Sequence, residues 1–184
     1  VDKIKIIVIS HNHWDHIAGL LPVLRMNNNI KVYAPAFDDD MKKQLDLLNI
    51  KVSYSADQIE VQKNIYKTEI LQCVYKNHIL KEQFLILKSK DKISILTACA
   101  HPGVVKILMY VKKHFKESID FVGGGFHLKN YNRKELEPII SNINKFNFER
   151  IAPMHCTGID GTEMIKNIRK NEFVEIKQGM SVNI

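Results

Sequence analysis

Three of the chain's eight histidines fall within six residues, His11-Asn12-His13-Trp14-Asp15-His16. Chance produces such an HxHxDH spacing about once in a thousand chains of this composition. In extended backbone, residues two apart project to the same side, so His11 and His13 can grip one ion between their imidazole nitrogens. Once the loop turns, Asp15 and His16 face a second position nearby. Imidazole and carboxylate donors together suit zinc, manganese or iron. Three more histidines follow apolar runs. His101 stands in Thr97-Ala98-Cys99-Ala100-His101-Pro102-Gly103, His127 after Phe121-Val122-Gly123-Gly124-Gly125-Phe126, and His155 after Ile151-Ala152-Pro153-Met154. Four strand-end loops thus each deliver a histidine. Ligands of open α/β folds gather at the carboxyl ends of strands, so the pattern predicts one shared site. His114 sits among Lys112, Lys113 and Lys116 and reads as a solvated side chain. The run Gly123–Gly125 has two readings: it lets backbone approach a ligand closely, or it forms a tight turn.

The elements that must position these residues alternate between β and α. Ile4–Ile9 is a short β-branched run and reads as a buried strand leading into the polar loop at 10–16. A helix is expected over Ile17–Met26 with Pro22 in its first turns. Ile30–Ala34 reads as a strand, and Asp38–Asp40 can cap a helix through Leu48. Residues 51–76 alternate as a β meander. Phe84–Leu87 and Ile93–Ala98 form a strand pair turning near Lys90 and Asp91. Gly103–Lys116 is the clearest helix, with Val104, Ile107, Leu108, Val111 and Phe115 on one face. Strands are then expected at Phe121–Val122, Arg150–Ala152 and Phe173–Ile176, and helices at Arg133–Phe146 and Thr162–Lys170. The class is mixed α/β.

With 184 residues, 45% hydrophobic and 26% charged, the composition excludes a mainly disordered or low-complexity chain, and one domain over 1–184 is the expectation. No apolar run is long enough to cross a bilayer, and VDKIKIIVIS has too early a charge for a secretory signal, so a cytoplasmic, non-membrane protein is expected. The net charge is +7, but the basic residues are spread along the chain, and all except Arg25, Arg133, Arg150 and Arg169 are lysines. Lysine lacks the bidentate geometry that base readout favours. A basic balance can mean nucleic acid or a small anionic substrate, but lysines spread this evenly read first as a solvated surface, and nucleic acid is not the expected partner. Cys73, Cys99 and Cys156 are odd in number and lack CxxC spacing, which points to a reducing compartment rather than a disulfide framework.

Ser10-His11-Asn12-His13-Trp14-Asp15-His16-Ile17-Ala18-Gly19-Leu20 resembles the metal-binding signature of the metallo-β-lactamase superfamily. The segments Thr97–Gly103, Gly124-Gly125-Phe126-His127-Leu128 and Pro153-Met154-His155-Cys156-Thr157-Gly158 resemble one branch of it. That branch holds metal-dependent hydrolases related to 7,8-dihydropterin-6-yl-methyl-4-(β-D-ribofuranosyl)aminobenzene 5′-phosphate synthase. The resemblance runs from the first residues to about residue 160.

It implies a four-layer αββα fold and a site for two divalent ions, zinc first, with manganese or iron as alternatives. His11 and His13 match the pair on the first ion. Asp15, His16 and His155 match the ligands of the second. Cys99 falls where the superfamily usually places a bridging Asp, and a thiolate is softer and more easily oxidised. A further histidine ligand would fall near His78, in Asn77-His78-Ile79-Leu80-Lys81-Glu82-Gln83, although the branch often shows an acidic residue near there; His101 can take that role instead. His127 resembles a residue that contacts substrate or supports a ligand, with a ligand role also open, and Gly124 and Gly125 stand beside it. Asp15 would both ligate and orient water, with His127 as the second catalytic candidate. The implied activity is group transfer or hydrolysis on a phosphorylated or pterin-like small molecule. Plain hydrolysis of an ester or phosphodiester, and an iron-dependent redox-sensing protein without turnover, are the alternatives. In the superfamily, HxHxDH follows several N-terminal strands, whereas here it begins at residue 11 and the chain does not open with Met. The expectation is a chain lacking those strands, with an exposed sheet edge that favours a homo-oligomer.

Overall fold

A computed structural model describes all residues, Val1–Ile184. The chain packs as two compact units, Val1–Gln83 and Phe84–Ile184.

The first unit opens on strand β1 (Ile6–Val8), followed by the single-turn helix α1 (Trp14–Ile17) and helix α2 (Leu20–Met26). Pro22 is the third residue of α2, where a missing N–H breaks no intrahelical bond. Strand β2 (Lys31–Tyr33) pairs in parallel with β1, and β3 (Val52–Ser53) pairs in parallel with β2. Between them, α3 (Asp39–Leu47) starts where the Asp38 carboxylate accepts the Met41 N–H at 2.8 Å, the cap read from the acidic run. Ile9, Ile17, Leu20, Leu24, Val32 and Leu45 form the core under these elements.

The stretch expected to be a meander resolves differently. β3 belongs to the parallel sheet, while β4 (Ile59–Gln62) and β5 (Ile65–Lys67) make a hairpin. β6 (Leu71–Tyr75) pairs antiparallel with β7 (His78–Glu82), a strand the sequence pattern did not disclose. Val74 and Ile79 point outward, 78% and 70% exposed, so the apolar alternation that marks a half-buried strand is weak there. In β5, Lys67 is fully buried, and its ammonium donates to the carbonyls of Ser55, Asp57 and Thr68. Burial pulls its pKa below the ordinary 10.5.

The second unit is built on β8 (Leu85–Ser89), β9 (Lys92–Thr97), β10 (Ser118–Gly125) and β11 (Arg150–Met154). β8 and β9 are antiparallel, turning through Lys90 at φ 55°; β9, β10 and β11 run parallel. Helices α4 (Val104–His114), α5 (Arg133–Ile143) and α6 (Gly158–Ile168) connect and follow them. Val104, Ile107, Leu108 and Val111 are all buried, as the periodicity of α4 requires. The exposed His114 stacks on Tyr110 with ring centroids 4.3 Å apart. Asn132 and Glu135 close a capping box at the start of α5. The expected last strand near Phe173 reduces to one bridge between Ile151 and Phe173. Gly123–Gly125 lies inside β10 rather than in a turn. No helix is long and apolar enough to cross a membrane.

Candidate functional site

In the first unit the chemistry sits on the loop between β1 and α2. His11 is fully buried, unusual for a histidine, and its ring lies 4.7 Å from that of His13 and 4.2 Å from that of His16, centroid to centroid. His13 precedes α1 in extended backbone, and the turn of α1 brings His16 back, with its N–H donating to the His13 carbonyl at 2.9 Å. Asp15 stands beside His16, Oδ2 to Nε2 3.6 Å. The four residues of the motif are therefore gathered by a two-residue alternation followed by one helical turn.

The loop is held from the end of β7. The Gln83 backbone N–H donates to the Ser10 carbonyl at 2.9 Å, and its buried side-chain amide donates to the Ile9 carbonyl at 2.8 Å. Glu82, 1% exposed, brings a carboxylate oxygen to 4.0 Å from His11 Nδ1, and Ser10 Oγ lies 3.0 Å from the same nitrogen. With the Nδ1 side engaged by hydroxyl and carboxylate, Nε2 is the nitrogen suited to ligation, the usual arrangement of a metal-bound imidazole. A buried imidazole, His11, beside the half-buried His13 and His16 and backed by a carboxylate, makes a donor set that fits a divalent transition-metal ion. Tyr75 adds a ring 5.2 Å from that of His13. His78 opens β7 as an exposed residue opposite Tyr75; in its segment it is Glu82 that reaches His11. The acidic residue of that segment, Glu82, is buried, whereas His78 is exposed.

In the second unit the strand-end histidines lie along one sheet edge, because β9, β10 and β11 are parallel and each is followed by its histidine loop. His101 and His127 have ring centroids 4.3 Å apart. His155, exposed, opens the 3-10 turn His155–Thr157 directly after β11. Ala100, His127 and His155 all take positive φ, 53°, 54° and 49°. For residues with a Cβ this costs about 1 kcal/mol each, so the turns are imposed by their surroundings. Those surroundings are visible: the Cys156 carbonyl accepts the N–H groups of both Leu128 and Lys129, and Thr157 Oγ1 accepts the Phe126 N–H at 3.1 Å while donating to the Met154 carbonyl at 2.7 Å.

Cys156, which in the sequence supports only the iron-dependent redox alternative, joins this cluster. It is buried, its thiol donates to the Cys99 carbonyl at 3.6 Å, and potential ligand atoms of Cys99, His127 and Cys156 all lie within 4.8 Å of one another. The Cys156 thiol is drawn from 9.0 down to about 4, first by hydrogen bonding with Cys99; burial opposes this and His127 adds to it. Its position next to His155 was the only signal in the sequence.

Gly124 and Gly125 are buried. A Cβ on Gly124 would stand 2.0 Å from the Thr97 carbonyl oxygen; one on Gly125 would stand 2.3 Å from that of Ala98 and 2.6 Å from Cys156 Sγ. The close approach that requires glycine is therefore that of the protein's own neighbouring chain. These glycines let β9, β10 and the Cys156 turn pack together.

The family described as a Beta-lactamase superfamily domain matches residues 1–70. An uncharacterized protein of Methanocaldococcus jannaschii is 28% identical over 97% of this chain and 78% of its own length. The 7,8-dihydropterin-6-methyl-4-(beta-D-ribofuranosyl)-aminobenzene-5'-phosphate synthase of the same organism is 25% identical over 96% of this chain and 74% of its own length. Among solved structures, a metal-dependent hydrolase of the beta-lactamase superfamily superposes with a TM-score of 0.78 at 22% identity, covering 96% of this chain and 78% of that one. The chain has the metallo-β-lactamase fold, and its HxHxDH loop lies within the residues that match the Beta-lactamase superfamily domain.

Proposed function

We propose that this chain is a metal-dependent enzyme acting on a phosphorylated or pterin-like small molecule, with group transfer of the dihydropterin synthase kind as the first reading and hydrolysis of an ester or phosphodiester as the second. The observation that carries it is the buried His11 imidazole, backed by Ser10 and Glu82 and gathered with His13 and His16. His11, His13, Asp15 and His16 are the proposed ligands of the first unit; His101, His155 and Cys99 are those the resemblance adds from the second. When bound, divalent ions supply Lewis acidity toward a developing anionic oxygen. The chain's own residues do the rest. Glu82 and Ser10 fix the His11 ring, Asp15 orients water or substrate beside His16, and His127 holds a proton or a substrate oxygen at the edge of the second unit's sheet. The relative named as a dihydropterin synthase supports the choice of substrate class.

The test is metal content per chain by mass spectrometry on protein purified without oxygen, followed by assay. Trp14, the chain's single tryptophan, lies inside the motif and is 79% exposed, so its fluorescence reports loading of the loop. About two transition-metal ions per chain, with turnover of a dihydropterin pyrophosphate or a nitrophenyl phosphodiester, is the expected result. Absence of metal after reconstitution with Zn²⁺, Mn²⁺ or Fe²⁺ overturns the proposal. The thiols of Cys99 and Cys156 favour one rival, an iron-dependent redox sensor, which a visible iron band without turnover would establish instead.

A further inference from the structure

A pocket of about 330 Å³ opens in the second unit between the first turns of α4, the loop after β10 and α5. Its volume lies at the low end of the range for small-molecule sites, about 300–1,000 Å³. The floor is apolar and buried: Val104, Phe126 and Leu128 are all under 4% exposed. Val105 and Met109, one helical turn apart on α4, form one wall. The His101 and His127 rings, 4.3 Å apart and tilted by 43°, also line it, offering π surface against which a flat ring can stack. The lining also carries an exposed cation, Lys106, and the half-exposed phenol of Tyr131. The pocket begins at the amino end of an eleven-residue helix, whose first N–H groups add partial positive charge on the same side as Lys106. A larger cavity, about 730 Å³, lies where β10 begins, at the end of the sheet away from the histidine loops, and its lining mixes lysines with Glu117, Glu149 and Glu172.

We infer that the α4–α5 pocket is the specificity site for a planar aromatic heterocycle bearing a phosphate-type anion, the ring lying against the His101–His127 pair and Met109, the anion toward Lys106. This rests on the proposed function for its substrate class but not on metal for its binding. An apolar floor recognises a ring; one cation at the rim, beside a helix amino end, distinguishes an anionic ligand from a neutral one.

The probes are 6-hydroxymethylpterin and its phosphate ester, with binding read from pterin fluorescence anisotropy and metal content measured on the same samples. Wild type is expected to bind both, the ester more tightly. Val105→Trp and Met109→Trp fill the pocket and should weaken both probes at least tenfold with metal content unchanged. Met109 is 60% exposed, so its replacement leaves the fold intact even if Val105→Trp does not. Lys106→Ala should remove most of the ester's advantage and leave the neutral probe unaffected. Binding by both tryptophan variants equal to wild type overturns the inference, as does a metal-loaded wild type that binds neither probe. A metal-free wild type that binds the probes supports the pocket while removing the proposed function.

Discussion

The two units place histidines by opposite means. In the first, three imidazoles converge within six residues, gathered by one extended stretch and one helical turn. In the second, His101, His127 and His155 come from loops some 26 to 28 residues apart and meet at one edge only because three strands run parallel. The first arrangement is local and is steadied by a few side chains, chiefly Ser10, Glu82 and Gln83. The second is a property of the sheet itself. The difference teaches where each is fragile: the loop loses its chemistry without losing its fold, whereas the strand-end array is disturbed chiefly by changes that disturb the sheet.

The largest effect should come from His13→Ala, which removes a donor from the loop. Metal content should fall and turnover should vanish while the thermal unfolding profile stays close to wild type; full activity with metal retained would break the comparison on its first side. Gly124→Ala tests the second side. Its Cβ would meet the Thr97 carbonyl at 2.0 Å, at a φ of 127° that only glycine adopts readily, so a loss of about 4 kcal/mol in denaturant unfolding is expected. A well-tolerated alanine there would mean the strand ends are looser than their hydrogen bonds imply. Lys67→Met asks whether the first unit has a fold anchor separate from its loop. Removing the ammonium leaves the carbonyls of Ser55, Asp57 and Thr68 without that donor, and about 3 kcal/mol should be lost with metal binding unaffected. Because burial lowers the Lys67 pKa, the unfolded chain binds more protons just below pH 10.5. Stability should therefore gain a rising contribution with pH in that window, one that the Met variant lacks. The mildest change is Glu82→Gln, which keeps shape and removes the carboxylate beside His11. A loss of about ten- to hundredfold in metal affinity is expected, read by competition with a chelator, with little change in unfolding.

The same contrast explains what was legible beforehand. The HxHxDH loop could be read because its geometry is written in consecutive residues. The strand-end histidines could be read because each follows an apolar run, and the parallel order of β9, β10 and β11 turns that regularity into proximity. Glu82 was hidden because β7 carries Ile79 outward and Lys81 beside it, so the strand that delivers the carboxylate had no clean alternation. Cys156 was hidden because its partners, Cys99 and His127, lie 57 and 29 residues away. Gly123–Gly125 left open a tight turn or a close backbone approach, because glycine disfavours strands; what holds it in β10 is the close approach of Thr97 and Ala98 across the sheet. The Phe173 segment had strand composition but made only one bridge to Ile151.

The left-handed backbone at His127 and His155 has a consequence for anyone evolving this protein in the laboratory. Glycine at either position would relieve about 1 kcal/mol of backbone strain, and asparagine would relieve part of it. Under the proposed function, a library selected only for heat tolerance drifts toward those replacements and returns hardier, inert clones. Selection that couples survival to turnover is needed to keep the two imidazoles, since at these positions thermal fitness and chemical usefulness are opposed.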